Sequence, residues 1–98
     1  MADASSLETV GPVLEAGAAG AAVVAAIRKL NQNVTLEDRG SYVRVLAFRR
    51  CVVTREAIEA ETGQPFTLPG DLECVMPSFK GRFLVNEDQA TWTAENRR

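Results

Sequence analysis

The sequence predicts an α+β fold: one domain with a mainly antiparallel sheet packed against two helices, in the order β-α-β-β-α-β-β-β. Three observations carry that prediction. From Ala16 to Ile27 run 12 residues without a charge, almost all Ala, Val and Gly; a membrane span needs about 20, so the run reads as a buried helix. Beyond it come short segments of period-two alternation separated by Gly, Asn and Pro turns, the pattern of half-buried strands. Between them Thr54 and Gly63 bracket a second, short helix with a good N-cap and a good C′ residue. Helices interspersed with antiparallel pairs, not single parallel strands, select α+β.

Each element follows in chain order. Residues 1–8 are small and polar and are expected to be disordered. Thr9–Glu15 is a strand, with Gly11-Pro12 bending it or limiting its pairing. The first helix spans about Ala16–Leu30, and Arg28 and Lys29 in its last turn suit the helix dipole. Gly17 and Gly20 each cost about 1 kcal/mol against alanine in a helix interior. Close approach must repay that, to the sheet beneath or to a partner's helix above. Val34 to Arg39 alternates as a strand, Arg39-Gly40-Ser41 turns, and Tyr42–Phe48 returns. Both faces of this second strand are mainly apolar, with Tyr42, Leu46 and Phe48 on one and Val43, Val45 and Ala47 on the other. That places it centrally in the sheet. The second helix is Arg55–Thr62, with Glu56 in its first turn. Asp71–Met76 alternates Leu72, Cys74 and Met76 against Glu73 and Val75 and reads as a strand. Pro77–Gly81 reads as a loop, Arg82–Val85 and Ala90–Ala94 as the last two strands, and residues 95–98 as a flexible tail, leaving 9–94 as the domain.

Composition excludes most chemistry. The 98 residues include no histidine and two cysteines. A domain of this size buries roughly 60–65% of its unfolded surface and needs no disulfide or metal to fold. Without histidine there is no Ser-His or Cys-His nucleophile, no imidazole-bound zinc or iron, and no ordinary proton shuttle near neutral pH. Cys51 and Cys74 are too far apart for a Cys-x-x-Cys site; both lie in apolar runs and read as small buried hydrophobes. The absence of a signal-peptide pattern favours a reducing, cytoplasmic setting with unpaired thiols. The carboxylate pairs Glu37-Asp38, Glu87-Asp88 and Glu56/Glu59 fall on opposite strand faces, in a turn and on a helix surface, and read as solvated charge. Gly17-Ala18-Ala19-Gly20 lacks the Lys-Ser/Thr of a phosphate loop. No catalytic residue, cofactor site or metal site is expected.

Charge is balanced overall, 11 basic against 13 acidic residues, but divided along the chain. Residues 28–55 carry Arg28, Lys29, Arg39, Arg44, Arg49, Arg50 and Arg55 against Glu37 and Asp38. Residues 56–79 carry Glu56, Glu59, Glu61, Asp71 and Glu73 and no base. Such a dipolar surface suits the steering of one protein partner. A free-standing module for a small ligand or nucleic acid is the alternative, because Tyr42 and Phe48 interleave with the bases.

Several segments, taken together, resemble a known family. Val10-Gly11-Pro12-Val13, Val34-Thr35-Leu36-Glu37-Asp38-Arg39, Tyr42-Val43-Arg44-Val45, Ile58 with Gly63-Gln64-Pro65-Phe66, and Ser78-Phe79-Lys80-Gly81-Arg82 are similar in order and spacing to the small effector, or coupling, proteins of bacterial multicomponent monooxygenases. The resemblance spans residues 9–94 and is strongest to the toluene and alkene branch. It implies a cofactor-free protein that docks on a carboxylate-bridged diiron hydroxylase. There it would couple oxygen activation and electron delivery to oxidation of an alkene or aromatic hydrocarbon, and a Rieske ferredoxin would compete for the same surface. No nucleic acid and no membrane would be involved. The residues the resemblance points to as partner-binding are Gly11, Pro12, Arg39, Tyr42, Arg44 and the Pro77–Arg82 loop: Pro77, Ser78, Phe79, Lys80, Gly81 and Arg82. For Phe79 two readings stay open, an anchor in a partner's pocket or a core phenylalanine. For Arg39, Tyr42 and Arg44 the alternatives are interface or hairpin structure.

Overall fold

The computed structural model describes residues 8–94, so the expectations for residues 1–7 and 95–98 lie outside the described residues. Glu8 is held at the entrance to the first strand: its carbonyl accepts from the Arg49 amide at 2.7 Å, and its carboxylate pairs with the Arg49 guanidinium.

Ten elements follow: β1 (Thr9–Glu15), α1 (Ala18–Leu30), β2 (Thr35–Asp38), β3 (Tyr42–Phe48), β4 (Arg50–Thr54), α2 (Arg55–Thr62), α3 (Gly70–Val75), β5 (Ser78–Lys80), β6 (Arg82–Val85) and β7 (Gln89–Thr93). The expected β-α-β-β-α-β-β-β order is present, with one strand and one short helix added to it. The strands form two antiparallel sheets, β2-β3-β1-β5 and β4-β7-β6. β3 leads into β4 across Arg49, a non-glycine residue at φ 67°. β5 leads into β6 across Gly81, at φ 104°. At these two positions a strand leaves one sheet and enters the other. A Cβ on Gly81 would meet Val10 Cγ1 at 2.6 Å and the Thr93 carbonyl oxygen at 2.8 Å, so only glycine fits the crossing.

The core is one cluster beneath both sheets. Val10 and Leu14 of β1, Val45 and Ala47 of β3, and Cys51 and Val53 of β4 point inward. They meet Val23, Ala26 and Ile27 of α1, Ile58 of α2, and Leu72 and Met76 at α3. Trp92 of β7 is fully buried, with its ring stacked on Phe83 at 5.3 Å between centroids. This inward set is the apolar half of each strand's alternation, packed against the apolar stripe of the helices.

Local chemistry explains the helix ends. α1 begins at Ala18, two residues later than its apolar run, because Gly17 takes φ 137° as the N-cap. Gly20 shows what its helix cost is exchanged for: a Cβ there would lie 2.1 Å from the Glu15 carbonyl oxygen, so the helix rests directly on the end of β1. Of the two reasons left open for this glycine, packing against the sheet is the one present. α2 forms as expected, with Thr54 Oγ1 accepting from the Ala57 amide at 3.1 Å and Gly63 left-handed at φ 72°.

Three readings are corrected. Asp71–Met76 is not a strand: Gly70–Val75 is helical, and Leu72 and Met76 are buried one turn apart while Cys74 is exposed. Spacings of two and of four both fit apolar residues at 72, 74 and 76; the exposed thiol separates them. For the same reason Cys74 is not the buried hydrophobe the sequence predicts, whereas Cys51 is. Pro77–Gly81 is not a plain loop, since Ser78–Lys80 forms the edge strand β5 against β1. The apolar run Cys51-Val52-Val53 belongs to a strand that abuts α2 directly, with no turn residue to announce it.

β1 is also more central than its Gly-Pro pair implies. It pairs with β3 on one side and β5 on the other. The Gly-Pro effect is visible on the β3 side alone, where the paired positions pass from Val10 to Val13. There Gly11, at φ 149°, presses so close to β3 that a Cβ would lie 2.2 Å from the Val45 carbonyl oxygen.

Candidate interaction surface

Register determines which side chains share a face, because directly opposed residues point the same way. One row across the first sheet is Glu37–Arg44–Val13–Ser78. Beside it Tyr42 opposes Glu15, Leu46 opposes Thr35, and Lys80 opposes Gly11. Lys80 Nζ donates to Thr9 Oγ1 at 3.2 Å on this same face, and Phe48 opposes Thr9. In the second sheet the corresponding rows are Arg50–Thr93–Arg82 and Val52–Thr91–Leu84. All these residues alternate with the inward core set, so in each sheet they form the outward side, away from the core.

Antiparallel sheets with one solvated face ordinarily carry polar residues on it. This one does not. Of the five large hydrophobic side chains that are exposed among the described residues, Tyr42 (37%), Phe48 (54%) and Leu84 (52%) are on the outward side. The remaining two are Leu30 at the end of α1 and Phe79. With them on this side stand Arg44, Arg50, Lys80 and Arg82, and the Arg49 guanidinium lies over the Phe48 ring at 5.9 Å from its centroid. Of its acids, Glu37 Oε1 meets Arg39 Nη2 at 3.3 Å and Arg44 Nη1 at 3.7 Å, and Glu8 takes Arg49, while Glu15, opposite Tyr42, is exposed without an ion-pair partner among the described residues. Among the described residues neither Arg50 nor Arg82 has an ion-pair partner. The acidic residues Glu56, Glu59, Glu61, Asp71 and Glu73 are instead on α2 and α3, where Lys29 of α1 pairs with Glu61 and Arg55 of α2 with Glu59.

Against this geometry, the sequence-derived positions sort into groups. Tyr42, Arg44, Ser78, Lys80 and Arg82 come together on the outward side. Arg39 sits at the hairpin end beside them, bonded to Glu37. Phe79 opposes Pro12 and turns to the inward side at the sheet edge, 43% exposed, with its ring 5.2 Å from Phe83. It is thus neither a full core residue nor part of the outward patch. Pro12 is buried and Gly11 is pressed on Val45, so both shape the sheet beneath the surface. Gly81 serves the strand crossing, and Pro77 precedes β5. Sequence reasoning missed Phe48, Arg49, Arg50 and Leu84. The signal is an apolar residue on each face of Tyr42–Phe48, which the sequence reads as a central strand, and aromatic residues interleaved with bases, which it reads as a nucleic-acid surface.

The rest of the molecule offers little to a reaction. Burial pushes the Cys51 thiol up from 9.0 to about 12, which removes it as a nucleophile. Among the described residues no three His, Cys, Asp or Glu side chains are grouped as metal ligands, and no helix is long and apolar enough to cross a membrane. Open grooves of about 520 and 480 Å³ flank α1, the first between its alanines and Glu61, Thr62, Gln64, Pro65 and Phe66, the second between α1 and Leu36, Asp38 and Val43.

Comparison with known proteins gives this surface a context. The MmoB/DmpM family model matches residues 8–93. The chain is 39% identical over 85 residues to the effector subunit of the alkene monooxygenase system of Xanthobacter autotrophicus, covering 85% of this chain and 83% of that protein. Its fold superposes with a TM-score of 0.77, at 16% identity, on a chain in the complex of phenol hydroxylase with its regulatory protein, covering 87% of this chain and 95% of that one. The chain belongs to the MmoB/DmpM family, and its role is that of an effector, a regulatory component and not a catalyst.

Proposed function

We propose that this protein binds the diiron hydroxylase of a multicomponent monooxygenase and couples oxygen activation and electron delivery to oxidation of an alkene or aromatic hydrocarbon. The observation that carries the reading is the match to effector proteins across nearly the whole domain, joined to a sheet whose outward face is aromatic and basic where solvent alone would select polar groups. Tyr42, Arg44, Ser78, Lys80 and Arg82 contact the hydroxylase, Arg39 contributes from the hairpin end, and Phe79 inserts at the sheet edge. Gly11, Pro12, Pro77 and Gly81 hold the strands in the shape that presents them.

The mechanism is a population shift. A protein that binds one conformation of the hydroxylase better than another moves its equilibrium by the difference in affinity, and needs no reactive group of its own. A Rieske ferredoxin delivering electrons competes for an overlapping surface, so excess effector slows electron entry. The setting is the cytoplasm, in keeping with two unpaired cysteines, one of them exposed.

Reconstitution tests the reading. Alone, the chain turns over no substrate; added to hydroxylase, reductase and ferredoxin, it raises product formation and lowers peroxide release. Turnover by the isolated chain, or a salt-sensitive nucleic-acid complex at physiological ionic strength with no effect on the hydroxylase, contradicts it.

A further inference from the structure

We infer that the docking surface extends from the family-suggested residues through Phe48 and Arg49 into the second sheet, where Arg50 and Leu84 join Arg82, and that it fits an acidic, partly apolar patch of the hydroxylase. The inference rests on the effector reading above and adds to it the face, its orientation and the chemistry of the opposing surface.

Geometry and charge argue together. Arg50 and Arg82 oppose Thr93 from its two sides, so their guanidinium groups flank the middle strand on one face. Neither has an ion-pair partner among the described residues, whereas Lys29 and Arg55 on the helices are paired with Glu61 and Glu59. Exposed Leu84 follows Arg82 along β6, and exposed Phe48 ends β3 two residues before Arg50. Arginine and aromatic residues are enriched at protein interfaces and lysine is depleted, and this patch has four arginines, with Arg44, to one lysine. A hydroxylase surface offering carboxylates between apolar groups would satisfy both components. The net charge of −2 disfavours a polyanion such as nucleic acid or an anionic membrane. A second copy of this chain, presenting its acidic helices, is an outcome the test separates.

Binding of the full chain to its hydroxylase is measured by calorimetry at two ionic strengths. Arg50→Glu/Arg82→Glu weakens binding about tenfold or more at low salt and flattens the salt dependence, with Trp92 emission unchanged. Glu56→Lys, on the helical layer, leaves the affinity within about twofold. Phe48→Ser, at a half-exposed side chain, gives a similar loss without touching charge and carries the test if the double reversal does not fold. Unchanged affinity for both face variants, or an equal loss from Glu56→Lys, overturns the inference. So does a salt-sensitive dimer of the isolated chain that Arg50→Glu dissociates. Failure of the wild-type chain to bind any hydroxylase overturns the effector reading itself, a different result from binding that ignores the face.

Discussion

At the scale of single residues, glycine and cysteine are the most exacting. Gly20 sits inside a helix, where propensity alone makes Gly20→Ala stabilising by about 1 kcal/mol. The added Cβ would lie 2.1 Å from a backbone oxygen of β1, and backbone does not yield as a side-chain tip does. Gly20→Ala therefore destabilises, by about 1–3 kcal/mol, read as a lower urea midpoint.

The two thiols diverge for the same kind of local reason. Cys74 reacts with a thiol reagent in the native protein, and Cys51 reacts only after unfolding. The Cys51 thiol is held at about 12 in the fold against 9.0 outside it. Below pH 9 both states keep the proton and the difference costs nothing. Above pH 9 the unfolded chain loses a proton that the native state retains, so native stability falls as pH rises from 9 towards 12. The slope of this contribution is about 1.4 kcal/mol per pH unit. Denaturant unfolding of the wild type and Cys51→Ala across that range isolates it: the wild type's advantage shrinks with pH, and a constant difference would contradict the assignment.

Elements show how far local signals reach. β1, α1, the β2–β3 hairpin, α2 and the final β6–β7 pair are legible because each has a period and a punctuation: a cap, a Gly or an Asn turn at its ends. β4 has neither. Its Cys-Val-Val run is enclosed between Arg50 and the cap of α2, and its strand character comes from β7, a partner about 40 residues away. α3 is six residues long, too short for a helical period to be told from alternation. β5 is three residues between Pro77 and Gly81, and only its pairing with β1 makes it a strand. Non-local pairing is thus what the sequence conceals. The candidate surface follows the same rule: its residues lie on β3, β4, β5 and β6, and register alone assembles them.

A further element-scale device is Asn31. Its side-chain amide donates to the Val52 carbonyl at 2.8 Å and accepts from the Val52 amide at 3.0 Å. It occupies the free edge of β4 as another strand's backbone would, blocking stray pairing there. Asn31→Ala leaves both Val52 groups part-buried without that partner and lowers stability by about 1–3 kcal/mol. Amide exchange at Val52 should rise more than at neighbouring Val53, whose exchange reports the strand as a whole.

For the whole molecule, the division into layers matters most. Helices cover one side of the strands and build a core sufficient for a 98-residue chain. The other side stays open, with aromatic and arginine side chains that the fold does not need for its own stability. Substitutions there should separate function from folding: Tyr42→Ala, Phe48→Ser and Phe79→Ala should shift the unfolding midpoint little while weakening the effect on the hydroxylase. A protein that acts by holding another in one conformation has no use for histidine or a metal cluster, and its missing histidine is consistent with that task. The most direct test is the ratio of oxidised product to electrons consumed by the reconstituted hydroxylase, followed while this chain is titrated in. The account predicts that the ratio climbs and saturates near one chain per hydroxylase active site. A ratio that stays flat through stoichiometric addition would contradict it.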